Sequence, residues 1–171
     1  SLGIGSPNEI IETLSDHRIR AAGLVINTVD DIMHGMMLGA SGMHNQVSQW
    51  AGQGYLYLLV QALLENGFKV YLTSDHGNIE AEGRGKVNDG ATADSRGERV
   101  RVYPNELLRD TTKEKQPDTV DWPNYGLPAD YWALMSSGRT AFVSKGDSVV
   151  GHGGIALEEV IVPYVTIEKA P

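Results

Sequence analysis

Carboxylate and imidazole side chains stand at three separate places where apolar segments of the chain end. The five side chains, in chain order, are Asp30 and His34, Asp75 and His76, and His152. Oxygen and imidazole donors together are typical of zinc, manganese or iron rather than of calcium or magnesium sites. The chain has no cysteine and five histidines in all, so a thiolate site is excluded. The pattern predicts a divalent-metal centre.

Each segment taken alone has a simpler interpretation. Asp30 and His34 share one face if the chain is helical there, but such a pair is more often a helix cap and a surface histidine. Asp31 could replace Asp30, since the spacing differs by one residue. Asp75 alone could be a turn former, and His152, between glycines in GHGG, could be an ordinary loop histidine. The metal prediction depends on the coincidence of all three segments.

The surrounding elements predict an α/β fold with a mainly parallel sheet flanked by helices. Their order is a helix, a buried strand, a longer helix and a second strand, at residues 7–14, 22–31, 45–66 and 68–75. Alternation of this kind favours a parallel sheet covered by helices. Ligands of such sheets bind beyond the carboxyl ends of the strands, which is where the aspartates and His76 would lie.

The second half of the chain predicts a lid and a small β-rich insertion, residues 83–145, within a single domain of 1–171. The lid is the Gly-rich charged segment 83–101, and 109–124 is expected to be a polar connection. Short strands are predicted at 99–103, 131–134 and 140–143, and the end, 151–167, should form a short helix and a last strand. The mixed charge of the lid is typical of a solvated loop, although one of its arginines could bind a substrate phosphate.

The net charge of −8 argues against a broad nucleic-acid or membrane-surface footprint. No stretch resembles a signal peptide or a membrane span, so we expect a cytoplasmic protein. Metal ions could still supply positive charge for phosphate chemistry. A nucleic-acid substrate therefore stays open.

The motifs together resemble a known superfamily. The order D-x-x-x-H, TSDHGN and a distant Gly-flanked histidine is similar to the alkaline phosphatase superfamily, and LTSDHGN is especially similar to its cofactor-independent phosphoglycerate mutases. The ending HGGIALEEVIVPYV resembles more narrowly the PglZ family of BREX-type phage-resistance systems. The resemblance covers residues 22–80 and 150–167.

The resemblance implies two metal ions and a phosphate-ester substrate. Carried over by motif, Asp30, His34 and His152 would hold one ion, and Asp75 and His76 would hold the other. Zinc is the expected metal and manganese the alternative. Two such ions about 4 Å apart clamp the attacking and leaving oxygens of an in-line displacement at phosphorus.

The superfamily takes its Ser or Thr nucleophile and a further Asp from an earlier region, which we do not find before residue 22. The sequence therefore resembles the carboxyl-terminal part of such a domain, with an incomplete core and little activity of its own. Its catalytic residue is unknown.

Two other functions remain open. The domain could be an inert scaffold that binds other defence-system proteins, although lapsed sites usually lose ligands and all five are present here. A phosphoglycerate mutase-like enzyme is the other alternative, and the ending EEVIVPYV argues against it.

Overall fold

The computed structural model describes residues 5–34, 39–87 and 95–169, without the side chains of residues 34, 95 and 96. These residues divide into two compact units. The first unit comprises residues 5–34, 41–74 and 163–169. The second comprises residues 39–40, 75–87 and 95–162.

The described residues form six helices and nine strands, a mixed α/β composition. The helices are α1 (Pro7–Leu14), α2 (Thr28–His34), α3 (Gly39–Gly52), α4 (Tyr55–Glu65), α5 (Glu106–Lys115) and α6 (Leu157–Val160). The strands are β1 (Val70–Thr73), β2 (Ile79–Gly83), β3 (Ser95–Arg96), β4 (Val100–Tyr103), β5 (Thr119–Asp121), β6 (Trp132–Ser136), β7 (Thr140–Ala141), β8 (Ser148–Gly151) and β9 (Tyr164–Ile167). None of the helices in these ranges has the length and apolar character that crossing a bilayer requires.

The first unit packs α1 against α4, and α4 against β1. The predicted helix at 7–14 is confirmed, and its start is fixed by a capping box in which Ser6 and Glu9 bond each other's backbone N–H groups. The predicted helix over 45–66 is instead two helices, because Gly54 adopts a left-handed φ of 84° between α3 and α4. The predicted strand at 68–75 is confirmed over β1.

The prediction of a strand at 22–31 was wrong. Residues 20–26 have no regular structure, and the chain is helical from Thr28. Leu24 and Val25 are exposed, so this short apolar run is not part of a sheet core. Asp30 and Asp31 fall in the first turn of α2, where negative charge interacts favourably with the helix dipole.

The sheets are mostly antiparallel, which corrects the prediction of a mainly parallel sheet. β1 pairs with β9, β2 lies between β7 and β8, and the largest sheet has the order β3-β4-β6-β5. Among the described strands only β2 and β7 run parallel. The prediction of a parallel sheet depended on the expected strand at 22–31. That segment forms no strand, and β1 pairs antiparallel with β9 instead.

The polar segment 109–124 is not a simple connection, because it contains most of α5 and all of β5. The N-terminus of α5 is capped by Asn105, whose side chain accepts a hydrogen bond from the N–H of Leu108. Its buried face includes Arg109, whose guanidinium lies 5.1 Å from the centre of the Trp132 ring. The spacing of apolar residues did not predict this helix, because one of its buried positions is an arginine. The aliphatic part of the Arg109 side chain and its planar guanidinium pack against the sheet.

The pairing of β2 with β8 positions the candidate site in the second unit. In its antiparallel register Ile79 lies opposite Gly151, at the start of one strand and the end of the other. The residues just before Ile79 and just after Gly151 are therefore neighbours. The sequence prediction contained neither strand.

The core of the second unit should depend on Leu134, whose exposed fraction is 0%. We expect Leu134→Ala to lower the free energy of unfolding by about 2–5 kcal/mol, through lost burial and the cavity left behind. Leu107→Ala is the matched control, because Leu107 is 76% exposed, and surface changes of this kind stay within about 0.5 kcal/mol. Urea denaturation measures both, and equal effects would contradict this account of the core.

Candidate metal centre

Two of the predicted ligands, His76 and His152, lie face to face in the second unit. Their ring centres are 3.7 Å apart and the ring planes differ by 11°. The β2–β8 register produces this contact, since His152 directly follows Gly151 and His76 stands three residues before Ile79. The resemblance assigned these rings to two different ions, and the structure places them in direct contact.

The His76 ring is oriented so that one nitrogen is available to a cation. Its Nδ1 lies 3.0 Å from the carbonyl oxygen of Gly77. A carbonyl oxygen only accepts hydrogen bonds, so in the neutral ring this contact places the proton on Nδ1 and leaves the Nε2 lone pair unprotonated. Histidine ligands of metals are commonly fixed by such a hydrogen bond from their other nitrogen.

Asp75 lies beside the same nitrogen. Its Oδ2 is 3.8 Å from Nε2 of His76, and its Oδ1 accepts a hydrogen bond of 3.1 Å from the His76 backbone N–H. The backbone therefore turns so that these adjacent side chains point the same way. The side chain of Asp75 is 90% exposed, so it presents its negative charge to solvent.

Glycines allow close backbone approach on both sides of the histidine pair. The N–H of Gly77 donates to the carbonyl of Glu159 at 2.8 Å, and a Cβ on Gly77 would stand 2.0 Å from the carbonyl oxygen of Glu158. A Cβ on Gly154 would lie 2.7 Å from a carboxylate oxygen of Glu159. Gly153 has a φ of 100°, which favours glycine.

A buried ion pair lies directly behind the GHGG segment. Nε and Nη2 of Arg99 donate to the two carboxylate oxygens of Glu159 at 2.9 and 2.7 Å, and both side chains are 1% exposed. The carboxylate also accepts hydrogen bonds from the N–H groups of Gly154 and Ala156, at 2.9 and 3.0 Å. Burial by itself raises the pKa of Glu159, but these hydrogen bonds and the charge of Arg99 outweigh it and hold the pKa below its usual value.

Asp30 and His34, the remaining predicted ligands, lie on α2 in the first unit. They stand four residues apart on a helix, which is the condition under which the sequence analysis placed them on one face. Asp30 and its alternative Asp31 are both exposed, and the side chain of His34 lies outside the described residues. Their role as ligands stays a prediction.

The sequence also predicted that one arginine of the segment 83–101 could bind a substrate phosphate; the cationic residues of this segment are Arg84, Lys86, Arg96, Arg99 and Arg101. Arg99 is not accessible to a substrate, because it is buried against Glu159. Arg84 forms an ion pair with Asp118. Arg101 is buried with its guanidinium 5.6 Å from the centre of the Phe142 ring. Lys86 is exposed, and the side chain of Arg96 is not described.

Sequence reasoning missed the role of Arg99 and Glu159 behind this site. The available signal was the acidic pair in "ALEEV", where Glu159 stands three residues after Ala156, the N-cap of α6, and reaches back to the Ala156 N–H. Its distant partner Arg99 carries no local signal.

The chain belongs to the PglZ family. The model of the BREX system PglZ alkaline phosphatase-like domain matches residues 7–167, which is nearly the whole chain. This confirms the resemblance that its motifs indicated. No protein in the curated set matches the chain.

Gly77→Ala should disrupt the histidine pair. The added Cβ cannot remain 2.0 Å from the Glu158 carbonyl, so the segment carrying His76 must move. We expect a loss of about 1–3 kcal/mol in the free energy of unfolding and altered ring-proton NMR shifts of His76 and His152, since stacked rings shield each other.

Gly52→Ala is the control for this substitution. Gly52 ends α3 and has no atom within 4 Å of an added Cβ, so this change should be neutral or slightly stabilising. Unchanged histidine shifts in Gly77→Ala would contradict the predicted close approach.

The ion pair predicts a specific dependence of stability on pH. Because the pKa of Glu159 is lower in the folded chain than in the unfolded chain, its carboxylate stabilises the fold above the unfolded pKa and loses this effect as the pH falls through the folded pKa. We expect the free energy of unfolding to decrease below about pH 5, and to decrease less steeply in Glu159→Gln. Urea unfolding between about pH 7 and pH 3.5 measures both slopes.

Glu158→Gln is the control for the pH experiment. Glu158 is the adjacent residue on α6, is half exposed, and pairs with Arg139 on the surface. It should keep the wild-type slope. If Glu159→Gln also keeps that slope, the assigned pKa shift is wrong.

Proposed function

We propose that this domain binds divalent metal ions and is the metal-binding part of a phosphate-ester hydrolase of the phage-defence type. Its ligands are Asp75, His76 and His152, with Asp30 and His34 as the further ligands that the family resemblance implies. Zinc is the preferred metal and manganese the alternative. The observation that carries the proposal is the contact between the His76 and His152 rings, with Nδ1 of His76 engaged by a carbonyl.

The spacing of donor atoms supports this assignment. Two ligands of one tetrahedral zinc ion are separated by about 3.4 Å for bonds near 2.1 Å. Nε2 of His76 and Oδ2 of Asp75 are 3.8 Å apart, so a small movement of an exposed carboxylate brings both within bonding reach of one ion. A carboxylate and two imidazoles are also the ligand chemistry that zinc and manganese accept.

The domain's own residues supply position and charge. Asp75 adds negative charge beside the histidines, and the Nδ1–H of His76 holds its ring in one orientation against Gly77. When bound, a divalent ion would supply Lewis-acid stabilisation of charge that develops on phosphoryl oxygens. The net charge of −8 disfavours an anionic substrate in the absence of such ions.

The residues assigned to the site include no Ser or Thr, the type of nucleophile that the superfamily resemblance implies. We therefore expect this chain to bind metal but to hydrolyse phosphate esters weakly, and we expect the family's other defence-system proteins to be its partners. A phosphate monoester and a phosphate diester are both open as substrates.

Metal content tests the proposal directly. After dialysis against zinc, or in a second sample against manganese, and then against metal-free buffer, we expect the wild-type chain to retain zinc, as measured by inductively coupled plasma mass spectrometry. Asp75→Ala, His76→Ala and His152→Ala should each weaken zinc binding by about tenfold or more, because even changes to outer-shell partners have effects of that size. Asp30→Ala and His34→Ala test the two further ligands in the same way.

His17→Ala is the matched histidine control, because His17 is an exposed histidine of the first unit. It should retain the wild-type zinc content. A wild-type chain that retains neither zinc nor manganese would reject the metal-binding function and favour the scaffold alternative. Weak hydrolysis of p-nitrophenyl phosphate or of bis(p-nitrophenyl) phosphate by the zinc-loaded protein separates the two substrate classes.

A further inference from the structure

Glu159 contacts both of the segments that carry the paired histidines. Its carboxylate accepts the N–H of Gly154, two residues after His152, at 2.9 Å. Its backbone carbonyl accepts the N–H of Gly77, the residue after His76, at 2.8 Å. One residue of α6 therefore connects two segments that are more than seventy positions apart in the sequence.

We propose that Glu159 is the positioning residue of the candidate metal centre and that Arg99 fixes it in place. This inference rests on the proposed metal-binding function. Glu159 contributes no ligand, since its side chain is buried behind the site and occupied by other donors. It sets the separation and orientation of the rings of His76 and His152.

The carboxylate of Glu159 is held by four donors, which leaves it one orientation. Oε1 accepts from Nε of Arg99 and from the Gly154 N–H, and Oε2 accepts from Nη2 of Arg99 and from the Ala156 N–H. Arg99 is itself anchored, because its Nη1 donates to the carbonyl of Thr140. A planar guanidinium that binds both oxygens fixes direction as well as distance.

Stability alone is a poor explanation for this arrangement. A buried ion pair is often no more stabilising than well-packed apolar side chains of similar volume, because both charges must be desolvated. Capping α6 accounts only for the bond to the Ala156 N–H, whereas the buried carboxylate of Glu159 also binds Arg99 and the N–H of Gly154. What the buried pair adds is a fixed geometry for the GHGG segment.

Cobalt(II) binding to the intact chain tests this positioning role, because the visible absorption of cobalt reports ligand geometry as well as affinity. We expect Glu159→Gln to weaken cobalt binding by about 10–100-fold, the range seen when supporting groups of metal sites are removed. Its absorption bands should also shift in position or intensity. Glu158→Gln, the adjacent change on α6, should leave both the affinity and the spectrum as in the wild type.

Glu159→Gln leaves the charge of Arg99 buried without its carboxylate partner, and this variant could therefore fail to fold. A second variant keeps the test valid in that case. Arg99→Met/Glu159→Leu replaces the pair by apolar side chains and should retain the wild-type circular dichroism. It keeps the Glu159 backbone contact to Gly77 but loses the carboxylate contact to Gly154. We expect it to fold and to bind cobalt as weakly as Glu159→Gln.

The outcomes separate this inference from the function on which it rests. A folded Glu159 variant with wild-type cobalt affinity and spectrum would reject the positioning role while the metal site stands. A wild-type chain that binds neither cobalt nor zinc would reject the proposed function and, with it, this inference.

Discussion

The second unit is organised around the buried ion pair between Arg99 and Glu159. Both charges are removed from water, so each needs nearly all of its hydrogen-bonding groups satisfied by protein. That requirement brings together the residue just before β4, the GHGG segment and α6. A charge buried in this way tolerates few alternative arrangements, and this lack of alternatives gives the neighbouring segments a defined geometry.

The histidine contact follows from that constraint together with the β2–β8 register. Antiparallel pairing brings the start of β2 next to the end of β8, and glycines at 77 and 154 let the backbone approach Glu158 and Glu159 at distances that any side chain would prevent. The ring of His76 is then fixed by a backbone carbonyl. In the proposed metal centre, rigid supports of this kind would allow an exposed carboxylate such as Asp75 to act as a ligand.

Much of the local structure could be predicted from the sequence. The helix at 7–14, the end of α4 at Asn66-Gly67 and the strand at β1 follow from caps, glycines and apolar runs, which act within a few residues. The strand expected at 22–31 and the polar connection expected at 109–124 were wrong. In both cases the deciding feature was burial, which depends on what the segment packs against.

The sequence by itself determined the family and a set of metal-type side chains, because motif spacing and donor chemistry are local properties of the chain. The sequence identified Asp75, His76 and His152 as members of that set, but it did not determine how these side chains are arranged in space. Only the tertiary structure decided that His76 and His152 face each other and that the sheets are mostly antiparallel. It also showed that Arg99 forms a buried ion pair with Glu159 and is therefore not accessible to a substrate. These features depend on contacts between residues far apart in the chain, and such contacts leave no periodic signal in the sequence.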